Sequence, residues 1–574
     1  MSVRTDLIPV RLKRRRPGRD GMTIGIASVL IGILIFIPFA FLIYSSFRTG
    51  SPGQKNTDWT LDNWEYAFGK WGLTYLGNSL LIGALTAVAS VIIGVVLAWL
   101  VARTDLPGRK VLSNLFVIPL LFSPLLTTLA WIGLANPQMG LINVIAQQLF
   151  GDSGALVDIY SLPGIVTILV LHFSPYVFLA VRSALIGMDG DLEDASRALG
   201  ASWWRTVRKI ALPILSPAVL AAAFLVFVLA AEDYTVTALI GPSVGILTIP
   251  YGVRQAWSGF PSHPAQASAL GLMLMAVAMV GVLFYLWSIR RTARFVTMSG
   301  KGGKPAISRL SLPVKIAGWV IAALYLALSV VLPYLTLILG SFSKYFTVVG
   351  FTPDLLTLEH YTDLFASAGL WTALRNTLLL VLIGATITVL LAAFVSWVSA
   401  RGAGWTRRIV DFLSSMPIMI PGVALGIGLL WAYANVFPWL YGTLGLLLMA
   451  YATRYIGHGS RIMGSSLIQM NPDLENAART LGSSRMRTFR TITLPMLRVP
   501  IASSWILIAI FISLEVPASI MLYTGSTQPV SVYLWLTMEG GVVSQAFATG
   551  TILSTLTFLV VVIAQWRFRA LEKL

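Results

Sequence analysis

The chain contains twelve continuous apolar segments, each long enough to cross the hydrocarbon core of a bilayer as a helix. A backbone in lipid must satisfy its own hydrogen bonds, so continuous runs predict α-helices rather than the alternating strands of a barrel. Only 11% of the 574 residues are charged, which excludes a soluble globular protein. The segments are 22–46, 74–102, 111–134, 163–186, 216–240, 267–289, 314–339, 374–400, 409–434, 440–456, 499–523 and 550–566. The sequence therefore predicts an all-α polytopic membrane protein with about twelve transmembrane helices.

Lysine and arginine are distributed unequally between the two sides that these segments define. If the N-terminus lies inside, most of the 41 basic residues fall on the inner side, including those of 454–498. The exceptions are Arg48, Lys55, Lys70, Arg254, Lys344 and Arg375. Because inner loops are enriched in positive residues, we expect both termini in the cytoplasm. The net charge of +18 then reflects contact with anionic lipid, and we expect no nucleic-acid partner.

The two halves of the chain repeat one pattern of residues. Glu193, Ala195, Gly200, Ile210 and Pro213 recur 282 positions later as Glu475, Ala477, Gly482, Ile492 and Pro495. Earlier in each half, Asn78, Trp99 and Arg103 recur 298 positions later as Asn376, Trp397 and Arg401. We therefore predict two homologous six-helix halves, residues 1–300 and 301–574. Both halves have the same orientation, because six is an even number of crossings.

The repeated motif lies near 191–213 and 473–495, between the fourth and fifth helix of each half on the predicted cytoplasmic side. Each copy begins with Asp-Leu-Glu, and acidic residues favour a helix N-terminus. A glycine follows where a short helix would end. The pattern predicts a short helix across the bundle, which a soluble partner could push.

The spacing Glu-x-Ala, then Gly, Ile and Leu-Pro, resembles the EAA loop of permeases in binding-protein-dependent ABC importers. Two copies in one chain resemble the fused permeases that import ferric iron, thiamine and related solutes. The resemblance covers nearly the whole chain, although the second motif position is Asp194 in one half and Asn476 in the other. It implies that the ten repeated motif residues couple this chain to two ATPase subunits on the cytoplasmic side. It also implies an extracytoplasmic solute-binding protein and a location in a bacterial inner membrane.

No catalytic activity is expected in this chain. It has no cysteine, its four histidines show no metal-ligand spacing, and a Walker A pattern is absent from the sequence. We therefore expect neither a metal nor a cofactor on this chain, with ATP and Mg²⁺ bound by the separate ATPase subunits.

Three acidic residues fall within apolar segments: Glu232 and Asp233 in the fifth, and Glu515 in the eleventh. Charges in a membrane are costly and usually face a cavity. Because Asp233 and Glu515 are 282 positions apart, one hypothesis is an acidic substrate path between the halves. The resemblance favours ferric iron, and thiamine, a polyamine or a phosphonate remain open. The alternative is a structural role, with hydrogen bonds to residues such as Thr235 or Ser519.

Two further patterns carry less information. Pro119, Pro124, Pro417 and Pro421 are predicted to kink the third and ninth helices for packing. The segment 105–110 (DLPGRK) partly resembles a loop of facilitator-type secondary transporters, a remote alternative to an importer.

Overall fold

The protein is described by a computed structural model that covers residues 19–54, 57–151, 154–188, 191–296, 307–344, 355–401, 410, 413–414, 416–471 and 473–571. These residues contain isolated β-bridges but no strand. Helices up to residue 296 are α1 (Arg19–Ser46), α2 (Asp62–Phe68), α3 (Lys70–Ala102), α4 (Arg109–Leu115), α5 (Pro124–Ala135), α6 (Leu141–Phe150), α7 (Leu162–Gly187), α8 (Asp191–Ala198), α9 (Trp203–Thr206), α10 (Leu212–Ala231), α11 (Thr235–Ile240), α12 (Ile249–Ser258) and α13 (Pro264–Val296). Later helices are α14 (Leu312–Leu326), α15 (Leu332–Phe342), α16 (Glu359–Ala366), α17 (Ala368–Leu379), α18 (Thr386–Arg401), α19 (Gly422–Val436), α20 (Leu444–Gln469), α21 (Asp473–Thr480), α22 (Arg485–Thr488), α23 (Leu494–Met496), α24 (Arg498–Leu514), α25 (Ser519–Leu522), α26 (Val530–Glu539) and α27 (Val543–Leu571).

The all-α polytopic prediction is confirmed. Within the described residues, seven helical segments are long and apolar enough to cross a membrane, or ten if each sharply bent pair is one span. The predicted boundary between the halves at 300/301 and the first eighteen residues lie outside the described part.

Two predicted spans end earlier than their apolar composition indicates. The fifth, 216–240, corresponds to a helix that ends at Ala231, and the eleventh, 499–523, to one that ends at Leu514. Shortly after these ends, the carboxylates of Asp233 and Glu515 each accept a hydrogen bond from the backbone amide three residues further on. This bond favours the start of a new short helix, because it satisfies an N–H that has no acceptor within that helix.

The prediction that prolines only kink the third helix is wrong, because this span is divided into two helical segments. In the third predicted span the axis turns by 94° between the segments Arg109–Leu121 and Pro124–Ala135. Pro124 is the first residue of α5, and Ser123 caps that helix by accepting a hydrogen bond from Leu125 N at 3.2 Å. In the ninth predicted span, Pro421 directly precedes α19. Proline suits these positions because its missing N–H has no acceptor at a helix start.

The two halves pack with related arrangements and exchange their first helices. In the first half α3 packs against α7 and α10; in the second, α18 packs against α20 and α24. Helix α1 lies against α19 of the second half, and α15 lies against α5 of the first half. The halves are therefore interlocked, because a helix from each half packs against the other half.

The loop after α3 is tied to the start of the second half. Asp105 accepts hydrogen bonds from Lys315 Nζ at 2.7 Å and from Leu310 N at 2.9 Å. Thr104 and Ser308 form a parallel bridge beside these contacts. Asp105, the acidic residue of the DLPGRK segment, thus has a structural role here, and Lys315 holds the pKa of its carboxyl below the usual value.

Replacing Asp105 with alanine should release this tie. We expect faster hydrogen exchange at the Leu310 amide, whereas Asp105→Asn keeps an acceptor for that amide and should change it less. Because the folded-state pKa is depressed, the contribution to stability is present above the ordinary pKa of about 3.9 and is lost as pH falls below it. Unchanged Leu310 protection in Asp105→Ala would contradict this role.

Candidate functional site

Two short helices, α8 and α21, follow the C-terminal ends of the long helices α7 and α20. Their bounds are 282 positions apart, and so are those of the next short helices, α9 and α22. Gly200 and Gly482 follow them with φ of +77° and +88°, a left-handed conformation that glycine adopts without strain. The repeated sequence motif therefore forms the same local structure twice.

Each repeated glutamate contacts the helical bundle. Glu193 Oε1 lies 3.5 Å from Arg103 Nη2, at the end of α3, and the same Nη2 donates to the Met188 carbonyl at 3.1 Å. In the second copy, Thr493 Oγ1 donates to Glu475 Oε1 at 2.8 Å. Arg103 is almost fully buried, so its contact with Glu193 fixes the short helix to α3 and α7.

The remaining predicted coupling residues differ in exposure. Ile210 and Ile492 are half-buried, whereas the others are exposed: Ala195, Gly200, Pro213, Ala477, Gly482 and Pro495. Leu199 and Leu481, which sequence reasoning did not single out, are each 88% exposed beside the glycines. An apolar side chain this exposed at both copies is typical of a surface that a partner covers.

Between the halves lies a cavity of about 350 Å³. Three pairs of residues 282 positions apart line it: His172 with Arg454, Phe173 with Tyr455, and Tyr176 with His458. The first member of each pair is on α7 and the second on α20. The cavity therefore lies at the junction of the two repeats.

The three predicted path acids all line this cavity, although none of them lies inside a continuous helix. Asp233 Oδ1 accepts from Val236 N at 2.8 Å, and Glu515 Oε1 accepts from Ala518 N at 2.9 Å. Asp233 also accepts from Thr235 Oγ1 at 3.2 Å, as the structural alternative anticipated. The 282-residue correspondence thus extends to the hydrogen bonds of the two acids.

Arg454 is a site residue that sequence reasoning missed. The charge distribution counted it with the inner segment 454–498, although the predicted span 440–456 also contains it; it lies within α20 and its side chain is 18% exposed. Its Nε is 3.4 Å from Glu515 Oε2, and its Nη2 is 3.9 Å from Glu232 Oε1. Tyr455 also donates its hydroxyl to Glu515. The signal was available, since Arg454 corresponds to His172 in the repeat.

The cavity carries charges of both signs. Three carboxylates line it, together with the guanidinium groups of Arg454 and Arg461. Arg461 contacts the face of Tyr285, with its Cζ 5.9 Å from the ring centre. Among the described residues no group of three or more His, Cys, Asp or Glu is arranged to hold a metal ion. The cavity therefore has a negative excess but no preformed metal cage.

Comparison with known proteins identifies the family. The family model described as "Binding-protein-dependent transport system inner membrane component" matches residues 90–294 and 388–574. The chain belongs to this family. The double match confirms the prediction of a fused permease with two homologous parts and a place in an inner-membrane transport system. It leaves the secondary-transporter alternative without support.

Individual relatives are distant but extensive in coverage. The "Ferric transport system permease protein FbpB" of Actinobacillus pleuropneumoniae is 25% identical over 86% of this chain and 70% of its own length. The "Putative ferric transport system permease protein FbpB 1" of Haemophilus influenzae is 26% identical over 79% of this chain and 71% of its own. The "Molybdenum transport system permease protein ModB" of Escherichia coli is 29% identical over 37% of this chain and 91% of its own.

Proposed function

We propose that this chain is the membrane-spanning permease of an ATP-driven importer and that ferric iron is its solute. The observation that carries the first part is the pair of short helices α8 and α21, alike in bounds and fixed to the bundle by Glu193 and Glu475. Two equivalent docking elements suit two ATPase subunits, which bind ATP and Mg²⁺ and hydrolyse the nucleotide. The permease itself is not an enzyme and holds no cofactor.

The distribution of basic residues supports an orientation for this assembly. Lysine and arginine are concentrated in the segments that contain the two short helices and the termini, which favours a cytoplasmic location for these parts. The ATPase subunits then bind from the cytoplasm, and a solute-binding protein delivers its cargo to the opposite, outer face.

Rigid helices connect the docking elements to the cavity. The helical segment Val207–Ala231 continues for 25 residues from the first loop to Glu232, a length of about 37 Å at 1.5 Å per residue. Its counterpart in the second half turns by 75° between Met496 and Arg498 before it reaches Glu515. A displacement of α8 by an ATPase therefore moves Glu232 directly, and this movement opens or closes the cavity between the halves.

Ferric iron is favoured by two observations of different kinds. The relatives that match most of this chain are named as ferric transport permeases. The cavity is lined by Glu232, Asp233 and Glu515, and carboxylate oxygen is a ligand that suits small, highly charged cations. Thiamine and polyamines are also cations, whereas a phosphonate would need the cavity arginines instead.

Uptake measurements in the host test this solute. Removing the chain should reduce uptake of radioactive ferric iron to the background, and restoring the intact chain should recover it. Thiamine, polyamine and phosphonate uptake serve as parallel measurements in the same cells. Unchanged iron uptake with loss of one of the others would transfer the proposal to that solute and leave the importer assignment intact.

A further inference from the structure

The contacts of Arg454 connect the two halves of the cavity. Its guanidinium lies between Glu232, from the first half, and Glu515, from the second. Arginine stays protonated at every physiological pH, so this is a fixed positive charge on a flexible side chain. The position at which a solute cation would meet both carboxylates is therefore already held by a cation that belongs to the protein.

Some polar atoms around the guanidinium lack hydrogen-bond partners in the described structure. Nη1 of Arg454 and Oε2 of Glu232 are buried without a hydrogen-bond partner within the described structure. His172 lines the same cavity and is 7% exposed, and its Nδ1 is also buried without a hydrogen-bond partner. Buried polar groups are usually paired, so these three atoms indicate a place that binds a further polar species.

The guanidinium occupies space that is open only because residue 422 is a glycine. Gly422, the first residue of α19, faces Arg454, and a Cβ at this glycine would overlap Nη1. The position of the Arg454 charge therefore depends on α19. A methyl group added at Gly422 would shift the guanidinium without removing its charge.

We propose that Arg454 is a tethered counter-cation that sets the charge threshold for entry to the solute path. An entering cation must displace the guanidinium from Glu232 and Glu515. Its apparent affinity is therefore the intrinsic affinity multiplied by the fraction of time that the two acids are free. This reduction is the same for every cation. Sodium, whose attraction to the acids is weak, falls below useful affinity, whereas a trivalent ion still binds because Coulomb attraction grows with charge.

This inference rests on the proposed import of a cation, and it identifies the residue that excludes the abundant monovalent ions. Without Arg454, three carboxylates would line a path in the membrane that sodium and potassium could occupy. Asp233 is not part of the exchange, since among the described residues the ion pairs of Arg454 are with Glu232 and Glu515; the Asp233 carboxylate accepts from Val236 N and Thr235 Oγ1.

Terbium binding to the purified permease in detergent tests the threshold. Terbium is a trivalent ion whose emission is sensitised by nearby tyrosine, and Tyr455 contacts Glu515. In the unaltered protein, sodium chloride should weaken terbium binding no more than tetramethylammonium chloride of equal ionic strength. In Arg454→Gln, terbium affinity should rise about tenfold or more, and sodium should now compete specifically.

Four other variants make the test specific. Gly422→Ala should act in the same direction as Arg454→Gln, because it moves the charge from the acids. Arg461→Gln removes the other cavity arginine, which contacts Tyr285, and should change terbium affinity by less than about twofold. Glu232→Gln should lose the terbium signal that lanthanum displaces, whereas exposed Glu359→Gln should keep it.

Unchanged terbium affinity and sodium response in Arg454→Gln would overturn the proposal, and so would an intact signal in Glu232→Gln. The measurement needs neither ATPase nor iron uptake. If the chain imports another solute, the terbium result still stands. If iron uptake is demonstrated and Arg454→Gln binds terbium as the unaltered protein does, only this inference fails.

Discussion

Replacing Leu199 and Leu481 together with aspartate should abolish ATP-driven uptake and release the ATPase subunits from the permease. Both side chains are 88% exposed, so the folded permease loses no packing when they change. In a docked complex they would be buried, and burying a charge at an interface anchor costs about 2 kcal/mol or more at each position. Because each short helix is proposed to dock one ATPase subunit, the affinity for each subunit then falls by about 30-fold or more. Co-purification from detergent and uptake in vesicles measure the two effects.

A matched control uses exposed leucines at the other end of the bundle. Leu61 and Leu358 are each 63% exposed and directly precede α2 and α16. Helix α3 separates the first of them from the loop at Arg103 by about 48 Å. Replacing this pair with aspartate should leave ATPase binding intact. Equal loss of ATPase in both double variants would mean that the short helices are not the docking elements.

The elements that were predicted well from the sequence are those determined by neighbouring residues or by the repeat between the two halves. Continuous apolar runs indicate helices because lipid offers the backbone no other partners. The bounds of α8 and α21 followed from an acidic start and a terminal glycine, both of which act within one helical turn. The repeat then placed the second copy without further assumptions.

The errors occurred where tertiary contacts decide the outcome. Hydropathy continued the fifth span through Asp233, yet the carboxylate of that residue binds Val236 N and begins a new helix. Arg454 was assigned to the inner segment 454–498 from the distribution of basic residues. It is tolerated in α20 because Glu515, distant in sequence, lies 3.4 Å from it. Neither contact can be read from the composition of a segment.

Glu515→Gln should be the most destabilising of the conservative substitutions in the cavity. Glu515 is 4% exposed, accepts from Tyr455 and Ala518, and supplies the shorter of the two ion pairs of Arg454. Removing one partner of a buried ion pair leaves the other charge uncompensated, at a cost of about 3 kcal/mol here because Glu232 remains close to Arg454. Thermal unfolding in detergent measures this loss in the free energy of unfolding.

Asp233→Asn is the matched comparison, because the repeat places Asp233 at the position equivalent to Glu515. Both acids accept a hydrogen bond from the amide three residues on, and asparagine keeps this acceptor. Among the described residues Asp233 makes no ion pair with Arg454, so the variant loses only the favourable charge at a helix start, about 0.5 kcal/mol. A large difference between the two variants therefore isolates the arginine contact. Equal destabilisation would show that both acids act only as helix caps and that Arg454 is stabilised by Glu232 alone.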